Sequence, residues 1–467
     1  MLENVISVIN DSMYTLLIIP ILLLGGIFFT VRTRAVQLAR LGDCLHTVTD
    51  RPQSLGKTSS FQALMVSTAS RVGTGNIVGV STAICLGGFG SVFWMWVIAI
   101  FGGATTLIES TLAQIYKRRG EDGESYGGAA YYVEGALGSR PLAVIFSVLL
   151  ILTYGFGFNM LTSYNLTSTL MPYPFYDPAV TPLIVGIILA LAVSYCLFGG
   201  GKRILRITGY LVPIMGVAYI LVALGIVLFN AHRLPYVFGR IFTEAFDLSS
   251  ILGGFGGSAV MYGIKRGLLS NESGVGSAPS AAAAADVSHP AKQGLTQILS
   301  VFIDTLLVCT ATAFMCMCSG VEPTAELSGA PYVQAAMRAT LGDLGPVFIT
   351  VSIVLFGFTT LLGNLFYVDR AIAHILGHTP PRVAKFASYI LAALVTLAGA
   401  VMDAGILWGI ADVTMGLMTL INVPVILYLS PYAHRALADY VRRKRYGKPE
   451  HFTAKSIGIH HPLDYWQ

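Results

Sequence analysis

The stretch Ser70-Arg71-Val72-Gly73-Thr74-Gly75-Asn76 is polar and contains two glycines. It lies in the middle of segment 59–88, which is otherwise apolar enough to cross a membrane. Two glycines one residue apart, flanked by a threonine and an asparagine, favour an unwound backbone whose N–H and C=O groups lack helical partners. At membrane depth such groups are tolerated only where they are buried in protein or line a cavity. The stretch therefore predicts a binding site for a polar ligand.

The composition is that of a multi-pass membrane protein. The 467 residues are 54% hydrophobic and 11% charged, with a mean hydropathy of +0.70, which excludes a soluble globular protein. Apolar runs of about 20 residues, long enough for a hydrocarbon core of about 30 Å, recur along the chain. We predict eleven spans, at about 12–31, 60–88, 91–116, 141–171, 179–198, 205–230, 248–268, 293–318, 345–368, 384–402 and 405–429. The first lacks the cleavage site of a signal peptide and is interpreted as a retained helix.

The distribution of lysine and arginine predicts the orientation. With the N-terminus outside, all but four of the 29 lysines and arginines fall in inside loops and the tail. This count treats 265–292, with Lys265 and Arg266, as an inside loop. The positive-inside rule then predicts a plasma-membrane protein with its N-terminus outside and its C-terminus in the cytoplasm. The formal charge of +5 follows from the lysines and arginines of the inside loops, which lie beside an anionic leaflet. The predicted partner is therefore the lipid bilayer, and no nucleic-acid partner is predicted.

The spans divide into four units: an N-terminal helix with an interfacial linker (1–58), two halves of five spans each (59–231 and 232–430) and a basic tail (431–467). Each half begins with a span that glycine interrupts, and in the second half the interruption is predicted at Gly253-Gly254-Phe255-Gly256-Gly257. Five spans per half force the halves to run in opposite directions. Paired interruptions in inverted halves are typical of the binding site of a secondary transporter. Short helices are also predicted at 126–134 and 331–341.

Three motifs resemble those of the alanine/glycine:cation symporter family, the sodium:alanine symporters. They are residues 69–77 with Phe93-Trp94-Met95-Trp96 and 109–114, then residues 266–279, then residues 289–305. The resemblance covers about residues 12–430 and implies an all-α, LeuT-like 5+5 core. It also implies amino-acid transport coupled to sodium, the co-transported ion. The chain departs from the family at five positions, where the family usually has Pro, Gln, Asn, Trp and Asn: Phe89, Thr162, Tyr164, Asn364 and Met415.

The interrupted helix offers partners for both an amino acid and sodium. Backbone N–H groups of Gly73, Thr74, Gly75 and Asn76 begin the second half-helix, whose positive dipole end suits a carboxylate. Carbonyl groups at the end of the first half-helix suit sodium, which prefers oxygen ligands, and we assign Ala69 and Val72 to it.

Further site residues are predicted from position or from the resemblance. The resemblance implies that Thr359 and Thr360 are sodium ligands, although their hydroxyls could instead bond to the preceding turn. Gly253, Gly254, Phe255 and Gly256 are predicted to contact substrate at the second interruption. By position alone, Thr162, Tyr164 and Asn364 are substrate candidates, and helix packing explains them equally well.

Ionisable residues within spans are functional candidates. Glu109 is predicted to brace the structure, either by accepting hydrogen bonds from the unwound backbone of an interrupted span or by pairing with Arg71. Glu272, placed in a loop just inside the membrane, is predicted to lock an inner gate or to cap a helix end. Asp304 and Asp412 are assigned no transport role.

The sequence thus predicts a monomeric symporter that imports a small neutral amino acid, alanine or glycine, with sodium by alternating access. The nearest alternative is the same fold driven by protons, with Glu109 as the carrier. A passive channel is another, but the sequence has no repeated selectivity motif. An enzyme is not predicted, because no metal cluster, activated nucleophile or cofactor motif is present.

Overall fold

The computed structural model describes residues 2–54, 57–121, 123–247, 258–402, 404–447 and 452–467. In these residues the regular structure is helical apart from one short antiparallel pairing, Arg118–Arg119 with Ser125–Tyr126. Eight helices in the described part are long and apolar enough to cross a membrane, and Thr74–Gly87 and Thr181–Leu197 are shorter apolar helices. The prediction of an all-α protein with several membrane-spanning helices is confirmed.

The helices follow in chain order. As far as Phe229 the chain contains α1 (Leu2–Met13), α2 (Ile19–Arg32), α3 (Val36–Ala39), α4 (Leu41–Val48), α5 (Ser60–Arg71), α6 (Val78–Gly87), α7 (Gly90–Ile115), α8 (Ala129–Leu137), α9 (Arg140–Leu150), α10 (Phe158–Ser168), α11 (Thr181–Leu197) and α12 (Gly200–Phe229). Beyond it the chain contains α13 (Leu234–Ala245), α14 (Ala259–Asn271), α15 (Pro279–Ala284), α16 (Pro290–Val301), α17 (Thr310–Ser319), α18 (Ala330–Leu341), α19 (Leu344–Leu376), α20 (Arg382–Val401) and α21 (Ala404–Arg445). Three π-helical segments, Tyr14–Ile18, Ile151–Gly157 and Phe302–Cys309, each join two of these helices end to end.

The predicted span 60–88 is two half-helices joined by an unwound segment. α5 begins with a capping box, in which Ser59 and Gln62 exchange hydrogen bonds between side chain and backbone. It ends because Val72 leaves the helical region (φ −75°, ψ 85°) and Gly73 is extended. One 3₁₀ turn, Thr74–Asn76, leads into α6. The interruption is therefore where the sequence predicts it.

A second interruption separates α14 from α15. α14 begins at the cap Ser258, whose hydroxyl accepts a hydrogen bond from Met261 N (3.2 Å), and it ends at Glu272, which is left-handed (φ 53°). Gly274 (φ 86°) and Gly276 (φ 87°) are also left-handed, a conformation that glycine adopts without steric cost. The predicted interruption at Gly253 to Gly257 lies outside the described residues. The interruption that the structure describes lies at 272–278.

The contacts of α7 give the depth of this second interruption. The start of α7 packs on α14, where Gly263 meets Ser91. Halfway along α7, the Thr106 and Ser273 hydroxyls are 3.1 Å apart, and near its end Gln114 Nε2 donates to the Ala282 carbonyl (2.6 Å). We call the end of the bundle that holds Gly90 the outer end and the one that holds Ile115 the inner end, after the predicted orientation. Residues 272–278 therefore lie at mid-depth, so the placement of Glu272 in a loop just inside the membrane is wrong.

Lys265 and Arg266 are consequently not inner-loop residues. They lie on α14 in the outer half of the bundle, where both pair with the buried Asp412 of α21. The distances are 3.2 Å from Lys265 Nζ and 3.3 Å from Arg266 Nη1, and Lys265 Nζ is also 3.7 Å from Asp11. Carboxylates from two other helices neutralise these cations, so their charge does not mark the inner side.

The tail 452–467 folds back onto the inner end of the bundle. Trp466 Nε1 donates to the Gln114 carbonyl (2.8 Å), and Arg119 N donates to Asp464 (2.9 Å). Trp466 also packs on the cluster of Ala63 in α5, Ala285 and Val287. The tail thus contacts the inner ends of α5 and α7.

The predicted short helices are present as α8 and α18.

Candidate functional site

The two interruptions touch each other at mid-depth. Ser70 Oγ lies 3.3 Å from Glu272 Oε1, and Asn76 Nδ2 lies 3.1 Å from Ser270 Oγ. All four side chains are buried. Side chains at the two interruptions therefore supply hydrogen-bond partners for each other.

A cavity of about 30 Å³ lies in this region. It brings together seven of the predicted residues, namely Arg71, Gly73, Thr74, Gly75, Thr162, Glu272 and Thr360. Its other lining residues are Ser70, Phe158, Leu161, Leu269 and Trp408. Ligand pockets usually measure about 300–1,000 Å³, so this cavity has to widen before it can hold an amino acid.

Thr360 connects α19 to the end of the first half-helix. Its Oγ1 donates to the Ala69 carbonyl (3.1 Å). A Cβ at Gly73 would collide with Thr360 Oγ1. Val72, the other predicted carbonyl ligand, is the residue at which α5 ends. A hydroxyl and helix-terminal carbonyls are oxygen ligands of the kind sodium prefers.

Thr359 faces a different neighbour. Its hydroxyl bonds within its own helix to the Phe356 carbonyl (2.9 Å) and contacts Met215 Sδ on α12 (3.7 Å). This is the intrahelical bond that the alternative interpretation predicts. The structure therefore brings Thr360, and not Thr359, to the predicted sodium ligands.

Asn76 is occupied by protein contacts. Its Oδ1 accepts a hydrogen bond from Gly73 N (2.7 Å), and its Nδ2 donates to Asp304 Oδ1 (2.6 Å). Asp304 also accepts from the hydroxyls of Ser270 and Thr305, each at 2.7 Å. Asp304 does not line the cavity and holds Asn76 in place from behind, which agrees with assigning it no transport role.

Arg71 is a buried cation that makes no hydrogen bond in the described part of the chain. Its side chain lines the cavity, the residue is 2% exposed, and none of its three guanidinium nitrogens has a partner among the described residues. The carboxylates of Glu109, Glu272 and Asp304 lie within electrostatic range. Since no ion pair to Glu109 forms within the described residues, the suggested pairing of Arg71 with Glu109 is not present.

Glu109 makes the other predicted contact, to the unwound backbone. Gly274 N approaches its Oε1 (3.5 Å), and Asn422 Nδ2 donates both to Oε2 (3.0 Å) and to the Gly274 carbonyl (2.9 Å). The carboxylate thus connects α7, the second interruption and α21. This is the geometry that a brace requires.

The remaining predicted residues lie behind the cavity or outside the described part. Asn364 Oδ1 accepts from Ser70 Oγ (2.7 Å), and its Nδ2 donates to Asn159 (3.0 Å), so it positions a lining residue. Tyr164 is not a lining residue. Glu272 is held by Ser277 Oγ (2.7 Å). Gly253, Gly254, Phe255 and Gly256 lie outside the described residues.

Comparison with known proteins identifies the family. The sequence profile of the Sodium:alanine symporter family matches residues 1–454. The chain belongs to the sodium:alanine symporter family. The resemblance found in the three motifs is thereby confirmed.

Relatives within this sodium:alanine symporter family match over the full chain. The chain is 39% identical to the probable sodium/glutamine symporter GlnT of Bacillus subtilis (strain 168), with 100% of this chain and 96% of that protein covered. It is 37% identical to the putative sodium/proton-dependent alanine carrier protein YrbD of the same organism, with 100% and 98% covered.

A solved structure shows the fold of this sodium:alanine symporter family member. The crystal structure of MhsT in complex with L-phenylalanine superposes with a TM-score of 0.58 at 16% identity, covering 87% of this chain and 98% of that one. The chain therefore shares the overall fold of this LeuT-like structure, and the 5+5 repeat stays a prediction.

Trp408 is a wall of the symporter cavity that sequence reasoning missed. The guanidinium of Arg266 lies 4.2 Å from its ring centroid, and Arg266 is held by Asp412. A buried cation over an aromatic face is stabilised by the ring quadrupole. Since tryptophan near the start of a span is typical of the membrane interface, the sequence carries no signal for this role.

Proposed function

We propose that this protein imports a small neutral amino acid, alanine or glycine, in symport with sodium by alternating access. The observation that carries the proposal is the meeting of two interrupted helices around one cavity. That cavity holds a buried guanidinium at Arg71, the unwound backbone at Gly73 to Gly75 and the Thr360 hydroxyl. A zwitterionic ligand and a hard cation each find partners there.

In this proposal the amino acid binds at the junction of the interruptions. The N–H groups that begin α6 favour its carboxylate. The buried carboxylate of Glu272 and the carbonyls of the unwound segments favour its ammonium. Phe158, Leu161 and Trp408 supply an apolar wall for a small uncharged side chain, and Thr162 adds one hydroxyl.

Sodium, the second transported species, is assigned to the Ala69 and Val72 carbonyls and the Thr360 hydroxyl. The short distance between Thr360 and Ala69 supports this assignment, because an ion between them would join α5 to α19. Sodium that orders the end of α5 also shapes the adjoining cavity, which couples the two ligands reciprocally. Each charge that crosses 100 mV supplies about 2.3 kcal/mol, besides the concentration gradient.

The finer architecture belongs to the same proposal. We assign eleven spans, with one N-terminal helix before two inverted sets of five, an outside N-terminus and a cytoplasmic C-terminus. The small volume of the cavity supports alternating access, since an amino acid can enter only if half-helices move apart.

Uptake into proteoliposomes tests the proposal. Purified protein is supplied with radiolabelled L-alanine under an imposed sodium gradient, and glycine, D-alanine, L-serine and L-glutamine compete. We expect saturable accumulation that needs sodium, with alanine or glycine as the strongest competitor. Accumulation that is indifferent to sodium would exclude sodium coupling, and glutamine as the strongest competitor would exclude the assigned substrate.

A proton-driven symporter is the second candidate. The observation that favours it is the full burial of Glu109 among neutral donors, Asn422 Nδ2 and Gly274 N. Glu109→Gln keeps the shape of the side chain and removes the proton site. If the variant retains sodium-driven uptake, Glu109 has a structural role. If wild type takes up substrate under an imposed proton gradient and the variant does not, Glu109 carries the proton. Gradient-driven accumulation of either kind excludes a passive channel.

A further inference from the structure

A second, larger cavity lies far from the interruptions, at the inner end of the bundle. It has a volume of about 1000 Å³ and lies between the end of α2, the segment after it and the last turns of α21. We call it the inner groove and define it by its lining residues Phe28, Val31, Arg32, Thr33, Arg34, Val36, Ala39, Arg40, His434, Leu437, Ala438 and Val441.

The inner groove has an apolar floor and a cationic rim. Phe28, Val31 and Leu437 are among its apolar residues, and three arginines stand beside them: Arg32, Arg34 and Arg40. Arg40 is neutralised by Asp43 at 2.8 Å. Among the described residues, no carboxylate lies within ion-pair distance of Arg32 or Arg34. The groove therefore carries excess positive charge.

The chain turn that forms the rim is built at a steric cost. Arg34 (φ 55°) and Ala35 (φ 52°) are both left-handed, which costs roughly 1–2 kcal/mol for each non-glycine residue. The turn is closed by hydrogen bonds from Arg34 N to the Val31 carbonyl (3.1 Å) and from Ala35 N to the Thr30 carbonyl (2.7 Å). It reverses the chain at the membrane boundary and sets Arg32 and Arg34 on the rim.

His434 adds an unused polar atom to the same groove. Its Nδ1 lies 2.6 Å from the Ser430 carbonyl, so Nδ1 carries the hydrogen. Its Nε2 is buried and has no hydrogen-bond partner in the described part of the chain. With the hydrogen on Nδ1, Nε2 of the neutral ring is an acceptor, so the side chains of Arg32 and Arg34 carry the attraction for an anion.

The position of the groove selects the class of ligand. The membrane-spanning helix Val8–Arg32 ends there, and Val31 is 72% and Phe28 42% exposed. An exposed apolar wall that reaches membrane depth is covered by acyl chains. Basic pockets at the cytoplasmic membrane boundary attract anionic headgroups.

We propose that the inner groove binds an anionic phospholipid of the surrounding membrane. Its phosphate is held by Arg32 and Arg34, with His434 beside it, and one acyl chain lies along Phe28, Val31 and Leu437. The amino-acid and sodium sites are not involved, so the proposal is independent of the transport activity and rests only on the orientation proposed above.

Native mass spectrometry of the full chain in detergent tests the proposal, with phosphatidylglycerol and phosphatidylcholine as probes. The test variant is Arg32→Gln/Arg34→Gln, and the matched control is Arg382→Gln/Lys385→Gln, which removes two cations from the first turn of α20. We expect wild type and control to retain phosphatidylglycerol in preference to phosphatidylcholine. We expect the test variant to bind phosphatidylglycerol about 30-fold more weakly, since each cation contributes about 1 kcal/mol.

Three results would overturn the proposal. They are equal retention of both lipids by wild type, an unchanged phosphatidylglycerol affinity in the test variant, and a loss of dimers instead of lipid, which would assign the groove to a second copy of the chain. The thermal midpoint of each variant, measured in parallel, identifies a variant that is misfolded.

A second measurement does not depend on removing charges. Val31→Trp places a fluorophore in the groove, and Leu24→Trp places one on the same helix, where Leu24 is 69% exposed but outside the groove. The signal of each added tryptophan is taken as the difference from wild type, which has four tryptophans. We expect brominated phosphatidylglycerol to quench the fluorophore in the groove at lower mole fraction than brominated phosphatidylcholine does. Both lipids should quench the fluorophore of the Leu24→Trp variant equally. If the two lipids also quench the Val31→Trp variant equally, the groove does not bind an anionic lipid.

Discussion

Thr360 Oγ1 lies 3.1 Å from the carbonyl oxygen of Ala69, whereas the hydroxyl of the adjacent Thr359 faces Met215 on α12. Neighbouring residues on a helix point about 100° apart, so one of two consecutive threonines can reach a given partner on α5. The pair therefore offers a test of the sodium assignment in which the test and control residues are identical in type and adjacent in position.

Thr360→Ala is expected to raise the sodium concentration for half-maximal uptake by about tenfold, because it removes one oxygen ligand of a cation. Thr360→Ser keeps the hydroxyl and should stay within about twofold of wild type. Thr359→Ala should do the same, since its hydroxyl bonds within its own helix. The measurement is initial uptake as a function of sodium in proteoliposomes. Equal effects at both threonines would remove the basis for choosing Thr360.

Gly73→Ala is expected to lower the thermal midpoint and to abolish uptake. The new Cβ would collide with Thr360 Oγ1, and such overpacking costs about 1–3 kcal/mol. Gly75→Ala is the matched control for the thermal midpoint, because its Cβ would meet nothing nearer than Leu269 at 4.0 Å. Thermal unfolding in detergent and uptake are measured for both. A normal midpoint for Gly73→Ala would mean that α5 and α19 separate easily at this point.

Asp412→Asn is expected to be strongly destabilising, by about 3–5 kcal/mol, because it leaves Lys265 and Arg266 buried without their shared carboxylate. Lys265→Met should cost less, since Arg266 still pairs with Asp412 at 3.3 Å. The double variant Lys265→Met/Asp412→Asn should be more stable than the sum of the single changes predicts. Unfolding midpoints of the four proteins give the coupling. Additive effects would show that Asp412 is not the common partner.

Lys117, at the inner end of the bundle, is expected to make the free energy of unfolding depend on pH. Burial lowers the pKa of Lys117 from 10.5 to about 7, with the charge of Lys57 acting in the same direction. Between these values the native state has mostly lost a proton that the unfolded state keeps. The free energy of unfolding therefore rises with pH from about 7 to about 10.5, by at most about 1.4 kcal/mol per unit.

Lys117→Met should abolish this contribution, and Lys117→Arg should also abolish it because arginine keeps its proton throughout. The test compares thermal midpoints of wild type and both variants between pH 7 and 9, so that other titrating groups cancel in the difference. A wild-type slope no steeper than that of Lys117→Met would show that Lys117 stays protonated, held by the rings of Tyr465 and Trp466 and by the Ala285 carbonyl.

The first interruption was predictable because its signal is local. Two glycines and an asparagine in an apolar span have few uses other than an unwound segment, and the structure has that segment at 72–77. The cavity residues Gly73, Thr74 and Gly75 follow from it. The capping residue Ser59 is equally local, since its bonds reach only to Gln62.

The interruption at 272–278 was not predicted, for a reason that lies outside any local window. Lys265 and Arg266 resemble the start of an inner loop, and that interpretation moved Glu272 out of the membrane. Only the packing of α14 against α1 and α21 shows that Asp11 and Asp412 neutralise the two cations. The roles of Trp408 and Asp304 also arise from contacts between distant segments, which a single sequence does not reveal.

The bond between Ser70 and Glu272 has a consequence for the genetics of this chain. Because each interruption satisfies polar groups of the other, the fitness effect of a substitution at one depends on the residue at the other. Positions 70 and 272 should therefore tolerate change in pairs and resist it singly. A library that randomises both codons together would yield functional combinations that no stepwise path through single mutants reaches.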